Sequence, residues 1–587
     1  MKRIAIQIIL FIIPFTLFAQ SVNNGTQLKR EVTLYNPFIP TLQEAGKRSF
    51  LPDMTDTSQI TPDFRYNITP KIFLPVYAIS PIKAASLLPD PLPKLYKSYL
   101  KAGFGNYFSP LAEISITSDR SKEGAIGFYA GHSSSNGKVK LDNDKRVFAG
   151  FMDNEASLFG KKFLKQSVIE SSLDFNQFTR YAYGYDTSMT NYDPQKKDIR
   201  FNYLNTGGKI GIYSTKNDSA SLVYDFRLKY DFFYQNSNLW QHNYEFTGFQ
   251  AKEYKGFYIG SGLDLSIFKL SPYLNSNVRK IFSVSPFISR NSALWNFKLG
   301  IQILTETSQK NLLSIATIDD NRTWLHIYPD MNFSFNIIPD YINFFAALNG
   351  KLENNQPLKI INENPFLPVS GILYNLPNTD HELIIKTGFQ GSTGTEGSYL
   401  FYASYSVVNN MLLYKNHHLL IDIPTVLESG NLFLPVLDNA EILNVHGELK
   451  TESTNKLSVL LAGNYYNYML TTNEFAWNRP TWDAKLGVQY NLRNKILANI
   501  DLTASGNRKA ALLSVAPTLP KSGIYQTKQT VFNLPAHFNL NLSAEYRYTK
   551  ILSFWVKLNN ISYDRYNEWL FYPSMRFMGM LGFTYSF

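Results

Sequence analysis

The chain of 587 residues contains no cysteine. Disulfides are therefore excluded, and so are thiolate metal sites and a lipid anchor carried on an N-terminal cysteine. Eight scattered histidines supply no zinc-ligand spacing. Beyond residue 19 there is no run of about 18 apolar residues, which excludes transmembrane helices. Also missing are a Gly-rich phosphate cradle, a nucleophile elbow, and paired carboxylates with a visible reason for divergent pKa values. The sequence thus points to no cofactor and no metal, and an enzyme is disfavoured. Although the net charge is +11, no basic stripe stands out, so nucleic acid is not an expected partner. The surplus of Lys and Arg reads as cover for turns and a polar interior, or as a surface that meets anionic lipopolysaccharide.

Aromatic residues are what the chain has in quantity. It carries 38 Tyr and 43 Phe, yet hydrophobic residues are only 44% of the total and the mean hydropathy is −0.19. Abundant rings at average hydropathy suit a membrane β-barrel, with one greasy face, one polar face and aromatic girdles at both interfaces. A large exported β-sandwich or propeller is the competing reading, and the pattern along the strands separates the two.

Met1-Lys2-Arg3, a short apolar run to Phe18 and a small residue at Ala19 make a secretory signal peptide over 1–19, cleaved after Ala19. Residues 20–95 carry ten prolines, among them Pro37, Pro52, Pro70 and Pro89, without a sustained period. Such density is incompatible with ladder strands and with helix interiors, so this reads as an extended periplasmic or lumen-filling segment. From residue 96 to 587 the chain changes character.

There, strict alternation recurs. Leu222, Tyr224, Phe226, Leu228, Tyr230 and Phe232 share one face, and Asp225, Arg227, Lys229 and Asp231 the other. Phe538, Leu540, Leu542, Ala544, Tyr546 and Tyr548 repeat the pattern. The gap between Ile259 and Leu263 reads as a slip in phase that a bulge would absorb. These segments reach about ten residues, long enough to cross a bilayer at a tilt and longer than a usual soluble strand. Short polar turns such as 253–256, 491–495 and 547–550 alternate with mostly longer excursions such as 133–146, 353–380, 408–439 and 505–536. That is the pattern of short periplasmic turns and long extracellular loops. The fold class is all-β: a transmembrane antiparallel outer-membrane β-barrel of about 22 strands, within a range of 18–22.

The last strand places Leu581, Phe583, Tyr585 and Phe587 on one face. Ending on Phe with aromatics at alternate positions, Phe583, Tyr585 and Phe587 look like the C-terminal signal read by the barrel-assembly machinery. Leu558-Asn559-Asn560-Ile561-Ser562-Tyr563-Asp564-Arg565-Tyr566, then Tyr572-Pro573 and the final strand, resembles the last hairpin of TonB-dependent receptors, most closely those of the Bacteroidota. Pro93 to Tyr107 is similar to the opening of receptor-like barrels in that phylum. The resemblance implies a 22-stranded barrel that moves a solute across the outer membrane, energised by TonB. The family places a plug domain of more than a hundred residues before its barrel, and the stretch 20–95 does not read as that fold. Glu31, Val32, Thr33, Leu34 and Tyr35 form a candidate TonB-box-like strand, or an ordinary linker.

His132 and Ser134 have the spacing by which outer-membrane phospholipases place a histidine and a serine on one strand face. The Asn-Gly that follows is displaced by one residue, no carboxamide partner can be placed from sequence, and a polar loop tip is the plainer reading. Asp142-Asn143-Asp144 and Asp319-Asp320 read as solvated loop charges without regular calcium spacing. The expected function is solute transport across the outer membrane. The alternative is a non-transporting barrel subunit of an outer-membrane complex, with other outer-membrane proteins as partners.

Overall fold

The computed structural model describes residues 98–587 except 119–120, 188–194, 216–220, 237–238, 271–277, 310–320, 368–375, 395, 419–431, 454–455, 518–524 and 563–564. The signal peptide, the proline-rich segment, the box at Glu31–Tyr35 and Asp319-Asp320 lie outside the described residues. No helix among those described is long and apolar enough to cross a membrane.

Twenty-four strands form one sheet, and two small two-stranded sheets lie apart from it. Removing the appended hairpin of Arg508–Pro517 and Tyr525–Leu534 leaves 22 antiparallel strands that close on themselves, matching the expected count. Closure is made by Ser98–Gly105 against Met578–Ser586, in a register that sets Tyr99 opposite Ser586 and Gly105 opposite Met580. Beyond that ladder the Ser98 and Phe587 backbones exchange hydrogen bonds of 3.1 and 2.9 Å. Gly103 and Gly582 face each other across the seam, and a Cβ on either would collide with the Trp555 indole that lies over them. Lys101 Nζ sits 5.4 Å from that ring. Two bare backbones thus let one large side chain seal the joint from within.

Alternation assigns the faces. Ile210, Leu228, Phe246 and Leu265 fall opposite one another on four successive strands, and Ile210 and Leu228 are more than half exposed. Their neighbours Arg227 and Lys229 turn inward. Arg227 meets Asp225 at 2.8 Å, and Lys229 meets Asp231 at 2.6 Å and Glu245 at 3.7 Å. The barrel is greasy outside and ionic inside, the inverse of a soluble protein. Part of the positive charge is therefore paired within the lumen.

The expected slip at Ile259–Leu263 does not occur. Pairing of Phe257–Leu270 runs unbroken on both sides, because Ser261 occupies the outward position between them and only its polarity interrupts the apolar series. Bulges lie elsewhere, notably between Val408 and Met411, where Asn410 has φ 55°.

One end carries tight turns. Lys255-Gly256 and Arg493-Asn494 have positive φ at both central residues, the twist that joins adjacent strands in two residues. At the other end the excursions are structured. Within 353–380 lies the helix Pro357–Glu363. Within 408–439 the strands Gly397–His418 and Leu432–Ser453 continue their ladder far past their neighbours, and within 505–536 lies the appended hairpin.

Outward residues near mid-strand should tolerate no charge. Leu228→Arg is expected to lower stability by about 2–4 kcal/mol, the cost of a cation at the middle of a bilayer. Urea unfolding from lipid vesicles measures it, and an unchanged midpoint would mean that the faces have been assigned the wrong way round.

Candidate functional site: a closed mouth over an ionic lumen

The structured excursions converge at the loop end. Val139 and Val147 from a short hairpin, Tyr183 and Tyr185, Ile360 and Phe366, Leu412 and Tyr414, Phe433 and Tyr572 pack into one buried apolar cluster. Their side chains come from loops attached around much of the ring. Tyr572 is the meeting point: Phe366 stacks on it at 4.0 Å between centroids, Tyr183 meets it edge-on at 5.0 Å, and Phe433 lies 5.8 Å away. The Tyr183 hydroxyl donates to the Pro573 carbonyl at 2.9 Å, and burial raises that phenol well above its ordinary pKa.

The helix Pro357–Glu363 links one stretch of the wall to the other loop-end residues. On one side Ile361 packs with Tyr203, Phe233 and Leu239 of the wall, the Tyr203 hydroxyl donates to Pro365 O at 3.1 Å, and Gln241 Nε2 donates to Gln356 Oε1 at 2.6 Å. On the other side Glu363 accepts from Tyr414 at 3.0 Å and pairs with Arg479. Arg565 holds Asp142 at 2.9 Å. Loops with this many apolar and ionic contacts form a folded cap, where solvated loops would remain independent. The strands Gly397–His418 and Leu432–Ser453 support it, and Asn416–His418 add a parallel pairing to Leu512–Ser514 of the appended hairpin.

Beneath the cap, Asp380 accepts from the Tyr328 hydroxyl at 2.7 Å and lies 3.3 Å from His326 Nδ1, while Asn378 donates to Glu306 at 2.9 Å. This network ties the end of the helical loop to the wall. Among the described residues no group of three or more His, Cys, Asp or Glu is arranged to hold a metal ion.

The residues singled out in the sequence fall as follows. Phe583, Tyr585 and Phe587 share the outward face of the closing strand and are 40%, 41% and 53% exposed. Asp142 and Asp144 are loop charges, paired with Arg565 and with Lys140 at 2.7 Å. His132 and Ser134 are not at a loop tip; both belong to the strand Gly124–Ser135, and His132 Nε2 lies 3.1 Å from Ser134 Oγ. The carboxamide that sequence could not supply is Asn154, which sits opposite His132 on the next barrel strand, its Oδ1 2.6 Å from His132 Nδ1. A fifteen-residue-scale loop separates the two strands, so their register, and hence this pairing, leaves no local sequence signal.

No family model and no curated sequence matches the chain. Solved structures do match it. The FrpB iron transporter from Neisseria meningitidis (F3-3 variant) superposes with a TM-score of 0.63 at 9% identity, over 84% of this chain and 82% of that one. The copper transporter OprC gives 0.60 at 11% identity, over 84% and 80%. The pyoverdine outer membrane receptor FpvA from Pseudomonas aeruginosa PAO1, bound to pyoverdine, gives 0.60 at 10% identity, over 84% and 78%. The shared property at such identities is the fold, a barrel found in proteins that are transporters and receptors, not enzymes.

Asp438 allows a pH test of the cap. Burial alone would raise its carboxyl, but hydrogen bonds from Asn473 N at 2.6 Å, Asn473 Nδ2 at 2.8 Å, Thr472 N at 3.0 Å and Asn439 N at 2.8 Å outweigh that and hold it below the usual range. A depressed carboxyl stabilises fully above the unfolded value of about 3.9 and ceases to do so as pH falls through the folded one. Amide-exchange protection at Thr472 and Asn473, corrected for intrinsic rates, is expected to fall on acidification through that window. Asp438→Asn should remove the dependence, and a wild-type profile in that variant would place the pH response elsewhere.

Proposed function

We propose that this chain is an outer-membrane barrel that passes a solute through its lumen, behind a mouth closed by its own folded loops. The observation that carries the reading is the cap. A barrel of about 22 strands encloses a space too wide for its side chains to fill, and here loops from around the ring are folded together over it. The outward greasy belt, the ionic interior and the likeness to barrels described as iron and copper transporters and as a pyoverdine receptor all support membrane transport. The short turns face the periplasm and the cap faces outward on this reading. Phe583, Tyr585 and Phe587 serve as the signal for the barrel-assembly machinery, and their shared outward face suits recognition as an added strand. Glu31–Tyr35 engages TonB by strand pairing and couples the barrel to an energy source.

Two measurements test this. In planar bilayers under potassium chloride the parent should conduct near background, and a variant lacking 354–378 should show stepwise channels, because the helical loop is gone. In cells, uptake of a panel of ferric and cupric chelates should include at least one that is lost both on deleting 31–35 and on removing TonB. Unchanged uptake of the whole panel, with the barrel recovered in stoichiometric association with other outer-membrane proteins, would replace transport by a structural role in a complex.

A further inference from the structure

The cap and lumen leave one constellation unused. In the strand Gly124–Ser135 the residues Ile126 and Phe128 are exposed on the outer face, 58% and 39%. Pairing with both neighbouring strands is continuous through His132, so His132 and Ser134 lie on that same outward face, toward its loop end. Asn154 shares it with Leu158, which is 44% exposed. These polar side chains, with Gln177 beside Asn154, stand toward the loop end of a face that is apolar below them, where each must find a partner.

Their hydrogen bonds have a defined sense. Asn154 Nδ2 donates to Gln177 Oε1 at 3.2 Å, which turns the Asn154 carbonyl oxygen toward the histidine. That oxygen only accepts, so His132 Nδ1 carries the proton of their 2.6 Å bond. In the neutral ring Nε2 is then the acceptor, and the Ser134 hydroxyl, 3.1 Å away, donates to it. Hydroxyl, imidazole and carbonyl stand in the order that activates a serine: nucleophile, base, and a group that fixes the base's tautomer and direction.

The surroundings select the substrate. Ala112 lies opposite His132 and Ala102 opposite Ala112, while Ala130 lies opposite Ala156. These side chains end at Cβ, and Phe104 and Phe128 are exposed on the same apolar outer face. The acyl chains of surrounding lipid lie against such an apolar face, beside the serine.

We propose that Ser134, His132 and Asn154 form a serine acyl-hydrolase site on the outer wall of the barrel, acting on the acyl esters of a membrane lipid. It depends on the membrane placement argued above and is independent of transport. Ser134 Oγ bonds to the ester carbonyl carbon as its proton passes to His132 Nε2. The bond to the leaving alcohol oxygen breaks, and His132 returns the proton to that oxygen. Water, activated by the same nitrogen, then cleaves the acyl-serine to a free fatty acid and restores the hydroxyl. Ser134 and His132 are the catalytic residues, and Asn154 is a positioning residue.

The test uses the purified full chain in detergent and in vesicles, with heat-modifiable gel mobility confirming that every variant is a folded barrel. A fluorophosphonate probe should label the parent and leave Ser134→Ala unlabelled. His132→Ala should slow labelling by about 10²-fold or more, the usual contribution of a positioned base. Asn154→Ala should slow it also, whereas Asn154→Asp, which still accepts from Nδ1, should restore it; a merely structural asparagine would not show that rescue. Fatty-acid release is then followed from phosphatidylethanolamine vesicles and, separately, from lipopolysaccharide vesicles, and the arm that responds identifies the source of the ester. Release from neither, or labelling and release by Ser134→Ala at the parent rate, overturns the proposal.

Discussion

A sheet with so apolar an outer surface cannot leave a backbone edge unpaired. Bilayer hydrocarbon offers no water to N–H and C=O groups, and each orphan would cost several kcal/mol. Everything else in the architecture follows from meeting that requirement with one chain. The first and last strands must meet in register, and they do, from Tyr99 opposite Ser586 to Gly105 opposite Met580. Once the sheet is closed, its side chains have only two destinations. The outward series becomes the lipid surface, and Asp225, Arg227, Lys229 and Asp231 are enclosed in the lumen, where they pair with one another.

Closure also creates the problem that the loops resolve. A ring of 22 strands holds open a wide passage, and the loop end fills its mouth with a hydrophobic core. Aliphatic side chains in this second core surround five tyrosines, rings with polar handles. Tyr183, Tyr203 and Tyr414 each bury an apolar body while directing the hydroxyl to Pro573, Pro365 or Glu363, so that the cap is dense without leaving those groups unpaired.

The barrel was largely legible because its information is local. Alternation over 222–232 and 538–548, and the spacing of polar turns, follow from the two-residue period of a strand and need no knowledge of the partner. The slip inferred near Ile259 failed because hydropathy stood in for geometry: Ser261 faces outward although it is polar. The cap was not legible. Pro357–Glu363 is a short helix whose buried residues meet rings from strands far away in sequence, and Gly397–His418 stays extended past the membrane because its partner and the hairpin at 508–534 hold it there. The polar trio divides along the same line. His132 and Ser134 are two apart on one strand and could be noticed, whereas Asn154 enters through a register that only the folded sheet sets.

Tyr572 contacts rings from three separate excursions, at Tyr183, Phe366 and Phe433. The outer loops of a membrane protein ordinarily drift independently, since each answers only to solvent. Here a change in any one alters the environment of the others, so their substitutions are thermodynamically coupled and their separate effects will not sum. Variation in this surface is constrained to proceed in concerted sets, with the geometry around one tyrosine deciding which combinations of loops can coexist.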